Sequence, residues 1–181
     1  MHAEILITDG TQPIGRGIGP SLEAMDVLSV LRNNPEAPTD LKERSITLAA
    51  ALLKMSGRYP VNTEASLART ILENGQAYKK FTAICEAQGG FKEPILAKYH
   101  HDVLSEAKGT IKSVDNRKLA RVAKLAGAPK SPSAGVFYNA SIGKQIEKGD
   151  MLFRIYAESP GELDYAKEYL SALNALITID Q

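Results

Sequence analysis

The residues best placed to do chemistry lie near the start of the chain, in Asp9-Gly10-Thr11-Gln12-Pro13-Ile14-Gly15-Arg16-Gly17-Ile18-Gly19-Pro20. Four glycines and two prolines mark a loop with unusual backbone angles. An apolar run, a glycine loop and a helix can direct backbone N–H groups and a helix N-terminus at an anion. The spacing Gly15-x-Gly17-x-Gly19 is not the dinucleotide fingerprint GxGxxG, and no Walker lysine accompanies it. Pro13 and Pro20 also remove two donors. The simpler reading is a tight connection whose glycines serve geometry alone. Such a loop also aims carbonyl oxygens, which suit a hard cation when a carboxylate helps. Glu23 and Asp26 lie three apart on the helix that follows and can share one side of it, although an acidic first turn commonly serves the helix dipole. Asp9 is expected to cap groups of its own loop.

Elsewhere the chemistry thins out. His100, His101 and Asp102 are consecutive, and adjacent side chains do not converge on one metal ion in a strand. They are read as connector residues. Cys85, the only cysteine, sits beside Ile84 on an apolar helix face and reads as a buried structural thiol. A disulfide or a cysteine zinc site within the chain is excluded, and a reducing, cytoplasmic setting is the natural expectation. Lys79-Lys80 and Arg117-Lys118 read as solvated charges.

The elements that must position these groups follow from periodicity. Ile5-Leu6-Ile7 is a short apolar run of the type found in buried parallel strands. A strand there needs neighbours reached by crossover connections, so further polypeptide is expected upstream. Four amphipathic helices come next. The first begins near Ser21 with Leu22, Met25, Leu28 and Leu31 inward, and ends at Asn33-Asn34-Pro35. The second runs from Thr39 or Asp40 to Gly57, with Leu41, Leu48, Ala49, Leu52 and Met55 inward. The third spans about Thr63 to Asn74, with Leu67, Ala68, Ile71 and Leu72 inward. The fourth spans about Gln76 to Gln88 and carries Tyr78, Phe81, Ile84 and Cys85. Residues 91–108 read as an irregular connector.

After the connector the character changes. Strands are expected at 110–114, 135–140 and 151–157, with a short extended piece within 142–150. A helix capped by Asn116 carries Leu119, Val122, Ala123 and Leu125. Ser159-Pro160-Gly161-Glu162 has the form of a capping box with proline at the first helical position. The helix it opens is expected to carry Leu163, Ala166, Leu170, Leu173 and Ile177 on one face. The fold class is therefore α+β, an α/β-type remnant: helices cover the edge of a truncated central sheet, followed by a small mixed α+β domain of barrel-sandwich-like type. The expected organisation is 1–90 for the central part, 91–108 for the connector and 109–181 for the C-terminal domain.

The bulk numbers suit a globular chain and exclude several partners. The chain has 181 residues, 44% hydrophobic and 24% charged. A net charge of +1 recommends neither nucleic acid nor an anionic membrane. No apolar run is long enough to span a bilayer, and the first residues lack the basic and apolar parts of a signal peptide.

One stretch, residues 142–155, resembles half of a biotinyl or lipoyl carrier domain, which would present a modified lysine. Lys118 and Lys144 are the candidates, but no Met-Lys-Met is present and a helix interrupts the other half. A carrier or binding module is therefore the competing reading.

The chain as a whole resembles the thymidine phosphorylase and AMP phosphorylase superfamily. The likeness is carried by Leu6-Ile7-Thr8-Asp9-Gly10-Thr11-Gln12-Pro13-Ile14-Gly15, Gly17-Ile18-Gly19-Pro20 and Asn74-Gly75-Gln76-Ala77-Tyr78. It continues through Glu86-Ala87-Gln88-Gly89-Gly90, Gly109-Thr110-Ile111, Val114-Asp115-Asn116, Gly127-Ala128-Pro129, Lys148-Gly149-Asp150 and Ile155-Tyr156-Ala157. Asp9-Gly10-Thr11 leans towards the AMP phosphorylase branch. The resemblance implies a homodimeric pentosyltransferase that cleaves a nucleoside or nucleotide with phosphate as co-substrate. It places the phosphate- and base-holding residues upstream of the matched region, so this chain alone is expected to be inactive scaffold. It also implies a structural K+ held by the carbonyls of Ile14 and Gly17 and the carboxylate of Asp26, where aspartate replaces the usual glutamate.

Overall fold

The computed structural model describes residues 3–180. The chain divides into two compact units: residues 1–8 with 26–93, and residues 9–25 with 94–181. The mixed α+β class holds, with six helices and two antiparallel sheets among the described residues.

The first unit is helical. It contains the later part of α1 (Pro20–Leu31), then α2 (Thr39–Ser56), α3 (Glu64–Glu73) and α4 (Gln76–Ala87). Asn33 takes a left-handed φ of 54°, and its side-chain amide donates to the Leu72 carbonyl at 3.1 Å, so the end of α1 is tied to the end of α3. Gly57 takes φ 64° and closes α2 as its composition suggests. The core is small: Val30, Ile46, Ala68 and Leu72 are buried, with Leu41, Ala49 and Leu53 packed against them.

Three expectations for this unit are corrected. Leu48, Leu52 and Met55 of α2 do not face inward but are exposed; the inward line is Ile46, Ala49 and Leu53. Periodicity identified an apolar helix without saying which of its two apolar faces the unit would use. Ile5-Leu6-Ile7 forms no strand and belongs to neither sheet. Cys85 is half-buried rather than buried, and Ile84 is exposed.

The second unit is the mixed one. One sheet has the order β1 (Gly17–Ile18), β4 (Gly135–Tyr138), β6 (Met151–Ala157), β2 (Tyr99–Leu104). The other has the order β5 (Gln145–Ile146), β3 (Gly109–Val114), β7 (Ile177–Asp180). Every pairing is antiparallel, so the parallel arrangement suggested by the first apolar run is absent among the described residues. The two sheets share one core with α5 (Asn116–Leu125) and α6 (Pro160–Ser171). Ile111, Leu119, Val122, Val136, Phe153, Ile155 and Ala166 meet there. In α5 the inward residues Leu119, Val122 and Ala123 follow the helical period.

Local chemistry sets the ends of these elements. The cap of α5 is Asp115, not Asn116: its carboxylate accepts from the N–H groups of Arg117 at 3.1 Å and Lys118 at 3.0 Å. The Ser159 hydroxyl accepts from the Glu162 N–H at 3.3 Å and completes the expected start of α6. That helix ends earlier than its apolar line implied. Ile177 belongs instead to β7, where the alternating Ile-Thr-Ile-Asp pairs with β3. Within the stretch read as a connector, Tyr99–Leu104 forms β2 and pairs along most of β6.

Candidate functional site

The glycine loop lies in the second unit and is pinned from several directions. The Asp9 carboxylate accepts from the Thr11 N–H at 2.9 Å and from the Thr11 hydroxyl at 3.1 Å, the expected local cap. The Gln12 side-chain oxygen accepts from the Ile142 N–H at 2.8 Å. The Asn116 side-chain amide donates to the Gly10 carbonyl at 2.9 Å. These long-range contacts are invisible to spacing, since each joins residues more than 100 positions apart.

The glycines serve close packing. A Cβ on Gly17 would come within 2.3 Å of the Leu22 carbonyl carbon, and one on Gly19 within 2.5 Å of the Ala134 carbonyl oxygen. Gly15 takes a φ of 75°, which favours glycine. Gly17 and Ile18 form β1 against Phe137 and Val136 of β4. The Tyr138 N–H donates to the Arg16 carbonyl at 2.7 Å, which makes Gly17 and Phe137 a non-hydrogen-bonded pair. In such a pair the peptide groups turn away from the partner strand.

The start of α1 is not arranged as an anion receptor. Pro20 has no N–H, and the Ser21 N–H donates to the Pro132 carbonyl at 2.9 Å. The Gly19 N–H donates to the Glu23 carboxylate at 3.0 Å, so the chain supplies its own anion at this end. Beside it lies an open depression of about 380 Å³ lined by Pro20, Glu23, Ala120, Lys124 and Pro129. Glu23 and Lys124 are both exposed, and most of the remaining lining is alanine and proline.

The three residues that the resemblance implies for K+ are placed as follows. Ile14 is half-buried and Gly17 is buried, both in the second unit; Asp26 is half-buried in the first. Carbonyl and carboxylate oxygens are the donors a hard cation takes. Among the described residues no three His, Cys, Asp or Glu side chains gather as a metal-binding cluster.

His100 and His101 sit on β2, His100 opposite Tyr156 and His101 opposite Ile155, and as strand neighbours they point to opposite faces. Asp102 does find a partner. It faces Arg154 across the strands, and both carboxylate oxygens accept from the guanidinium, one at 2.7 Å. The pair holds the Asp102 carboxyl below the usual carboxylate range. Spacing could not have found this pair, which needs the β2–β6 register. Neither carrier candidate presents a free tip. Lys118 donates to the Asn174 and Ala175 carbonyls at 2.9 and 3.0 Å, and Lys144 to the Asn139 carbonyl at 2.8 Å.

Residues 110–179 match the family described as the pyrimidine nucleoside phosphorylase C-terminal domain, which covers most of β3, then α5, β4, β5, β6, α6 and most of β7. Similar proteins include several that carry the name "Putative thymidine phosphorylase". That of Legionella pneumophila (strain Corby) is 51% identical over 176 residues, 97% of this chain and 34% of its own length. That of Hahella chejuensis (strain KCTC 2396) is 50% identical over 170 residues, 94% of this chain and 34% of its own. That of Maricaulis maris (strain MCS10) is 45% identical over 181 residues, 100% of this chain and 35% of its own. The chain belongs to the thymidine/pyrimidine-nucleoside phosphorylase superfamily. It spans about a third of the length of these relatives.

Proposed function

We propose that the chain forms part of the scaffold of a pentosyl-transferring nucleoside phosphorylase. In that reaction a phosphate oxygen bonds to the sugar C1′ as the bond from C1′ to the base nitrogen breaks. The products are free base and pentose 1-phosphate. The observation that carries this reading is the 51% identity to the Legionella protein across 97% of the chain. Such chemistry asks a protein for positioning and for stabilisation of an oxocarbenium-like sugar. Among the described residues, the glycine loop offers neither an open anion site nor a nucleophile. The chain alone is expected to be inactive, because the resemblance places the phosphate- and base-holding residues upstream of the matched region. Homodimerisation, a K+ requirement and a cytoplasmic setting belong to the same proposal and rest on the resemblance.

A second reading, action on nucleoside 5′-monophosphates, is favoured by Asp9-Gly10-Thr11 in the loop. The test is parallel phosphorolysis of thymidine, uridine and AMP, following release of free base. It uses this chain alone and a chimera in which it replaces the matching third of the Legionella relative, each in K+ and in Na+. Base release by the chimera and none by the chain alone is expected. A chimera that folds and releases base from none of the three overturns the proposal.

A further inference from the structure

We infer that Asn74 is a self-modifying residue: the Gly75 amide converts its side chain to aspartate or isoaspartate whenever the turn between α3 and α4 opens.

Asn74-Gly75 is the one place where asparagine precedes glycine; the other asparagines precede Asn34, Pro35, Thr63, Arg117, Ala140 and Ala175. The reaction is an internal displacement. The Gly75 nitrogen bonds to Cγ of Asn74 and the bond from Cγ to Nδ2 breaks. The Gly75 amide proton leaves with the side-chain nitrogen as ammonia, and a five-membered succinimide remains. Water then opens the ring. Opening at Cγ gives aspartate; opening at the main-chain carbonyl gives isoaspartate, whose backbone runs through Cβ and Cγ. Glycine brings the attacking nitrogen without a Cβ to hinder it, and Asn74 is exposed to water and hydroxide.

The fold restrains both reacting groups. Asn74 has φ −85° and ψ 4°. At that ψ the Gly75 nitrogen nearly eclipses the Asn74 nitrogen, so the peptide must rotate about the bond from Cα to the carbonyl carbon before its nitrogen reaches Cγ. The Gly75 N–H donates to the Leu72 carbonyl at 3.1 Å, which occupies the nucleophile. The Asn74 side-chain oxygen accepts from the Gln76 N–H at 3.1 Å, which holds the electrophile at the start of α4. Asn33 braces the turn from the end of α1: its side-chain amide donates to the Leu72 and Glu73 carbonyls at 3.1 and 3.3 Å. No heavy atom lies within 4 Å of where a Gly75 Cβ would stand, so the outer side of the turn is unobstructed. The two products then diverge. Aspartate keeps the main chain and places a carboxylate where the dipole of α4 favours one. Isoaspartate lengthens the main chain between the helices, next to the buried Leu72.

The test incubates the chain at pH 8, folded and in urea, and follows every asparagine by peptide mass spectrometry. Hydroxylamine, which cleaves a succinimide, reports the intermediate as a cut between residues 74 and 75. In urea Asn74 should react about tenfold faster than any other asparagine. In the folded chain it should react about tenfold slower than in urea, because the turn must open first. Asn33→Ala should speed the folded chain's reaction several-fold, at a temperature where circular dichroism shows that variant still folded. Asn74→Gln should abolish the cut. Gly75→Asn, an asparagine being tolerated at this left-handed φ, should slow the reaction in urea about tenfold. Equal rates at Asn74 in the folded and unfolded chain overturn the inference. So does a folded Asn33→Ala chain that reacts no faster, or another asparagine that leads in urea.

Discussion

The two units spend their apolar residues differently. The second encloses a core drawn from two sheets and two helices, in which Leu119, Val122, Val136 and Ile155 have no exposed surface. The first gathers a small cluster of buried residues, Val30, Ile46, Ala68 and Leu72, and leaves Ile5, Ile7, Leu48, Leu52, Met55 and Val61 exposed. Patterning alone treats all of these residues alike. The difference teaches that an amphipathic pattern shows that an element will be buried, and not by what. In the second unit the covering partners lie within the unit itself; in the first, some faces have none among the described residues.

The contrast can be broken most forcefully in the second core. Leu119→Ala should cost about 3 kcal/mol, with the removed side chain leaving a cavity. The matching change on the bare face of the first unit, Leu52→Ala, should stay within about 0.5 kcal/mol. Urea denaturation of the two variants checks this, and equal losses would erase the distinction. Next in size is the loop. Gly17→Ala must displace the Leu22 backbone and should cost about 1–3 kcal/mol, whereas Gly10→Ala, with nothing within 4 Å of its added Cβ, should be near neutral.

Smaller effects follow pH. Burial pushes the Tyr138 hydroxyl up to about 12, and the hydroxyl donates to the Ala140 carbonyl. The raised value means that its contribution is complete below about pH 10. That contribution is lost as pH rises towards 12. Tyr138→Phe should cost about 1 kcal/mol at neutral pH and flatten that alkaline loss. Asp102 behaves in the opposite sense. Its depressed value makes its contribution present above about pH 4 and lost as pH falls further. Asp102→Asn should cost about 0.5–1 kcal/mol at pH 7 for this partly exposed pair, and should abolish that part of the acid sensitivity. Melting curves from pH 2 to 12 would show both effects.

Much of this architecture was legible in the sequence, and the misses have physical causes. Ser159-Pro160-Gly161-Glu162 declared α6, and Leu119, Val122 and Ala123 declared the inner face of α5. β2 escaped because it reads Tyr-His-His-Asp-Val-Leu, polar where a half-buried strand alternates, and is held at the sheet edge by the Asp102–Arg154 pair and its ladder to β6. β7 escaped because Ile177 kept the helical spacing of α6, while the β-branched alternation of Ile-Thr-Ile needed β3 beside it to be recognised. In the loop the glycine spacing was plain, but its purpose depended on the Leu22 and Ala134 backbones. Contacts of that kind join distant positions, and composition does not record them.

Lys118 is one of two carrier-lysine candidates, yet its ammonium is held between two carbonyls of the turn after α6. The Asp115 carboxylate stands 3.7 Å away as an ion-pair partner. An acylating reagent needs the neutral amine with its lone pair facing outward, so Lys118 should be among the last lysines labelled by acetic anhydride. Its delayed appearance in a mass-resolved time course would serve as a simple chemical gauge of whether the α6–β7 turn is in place.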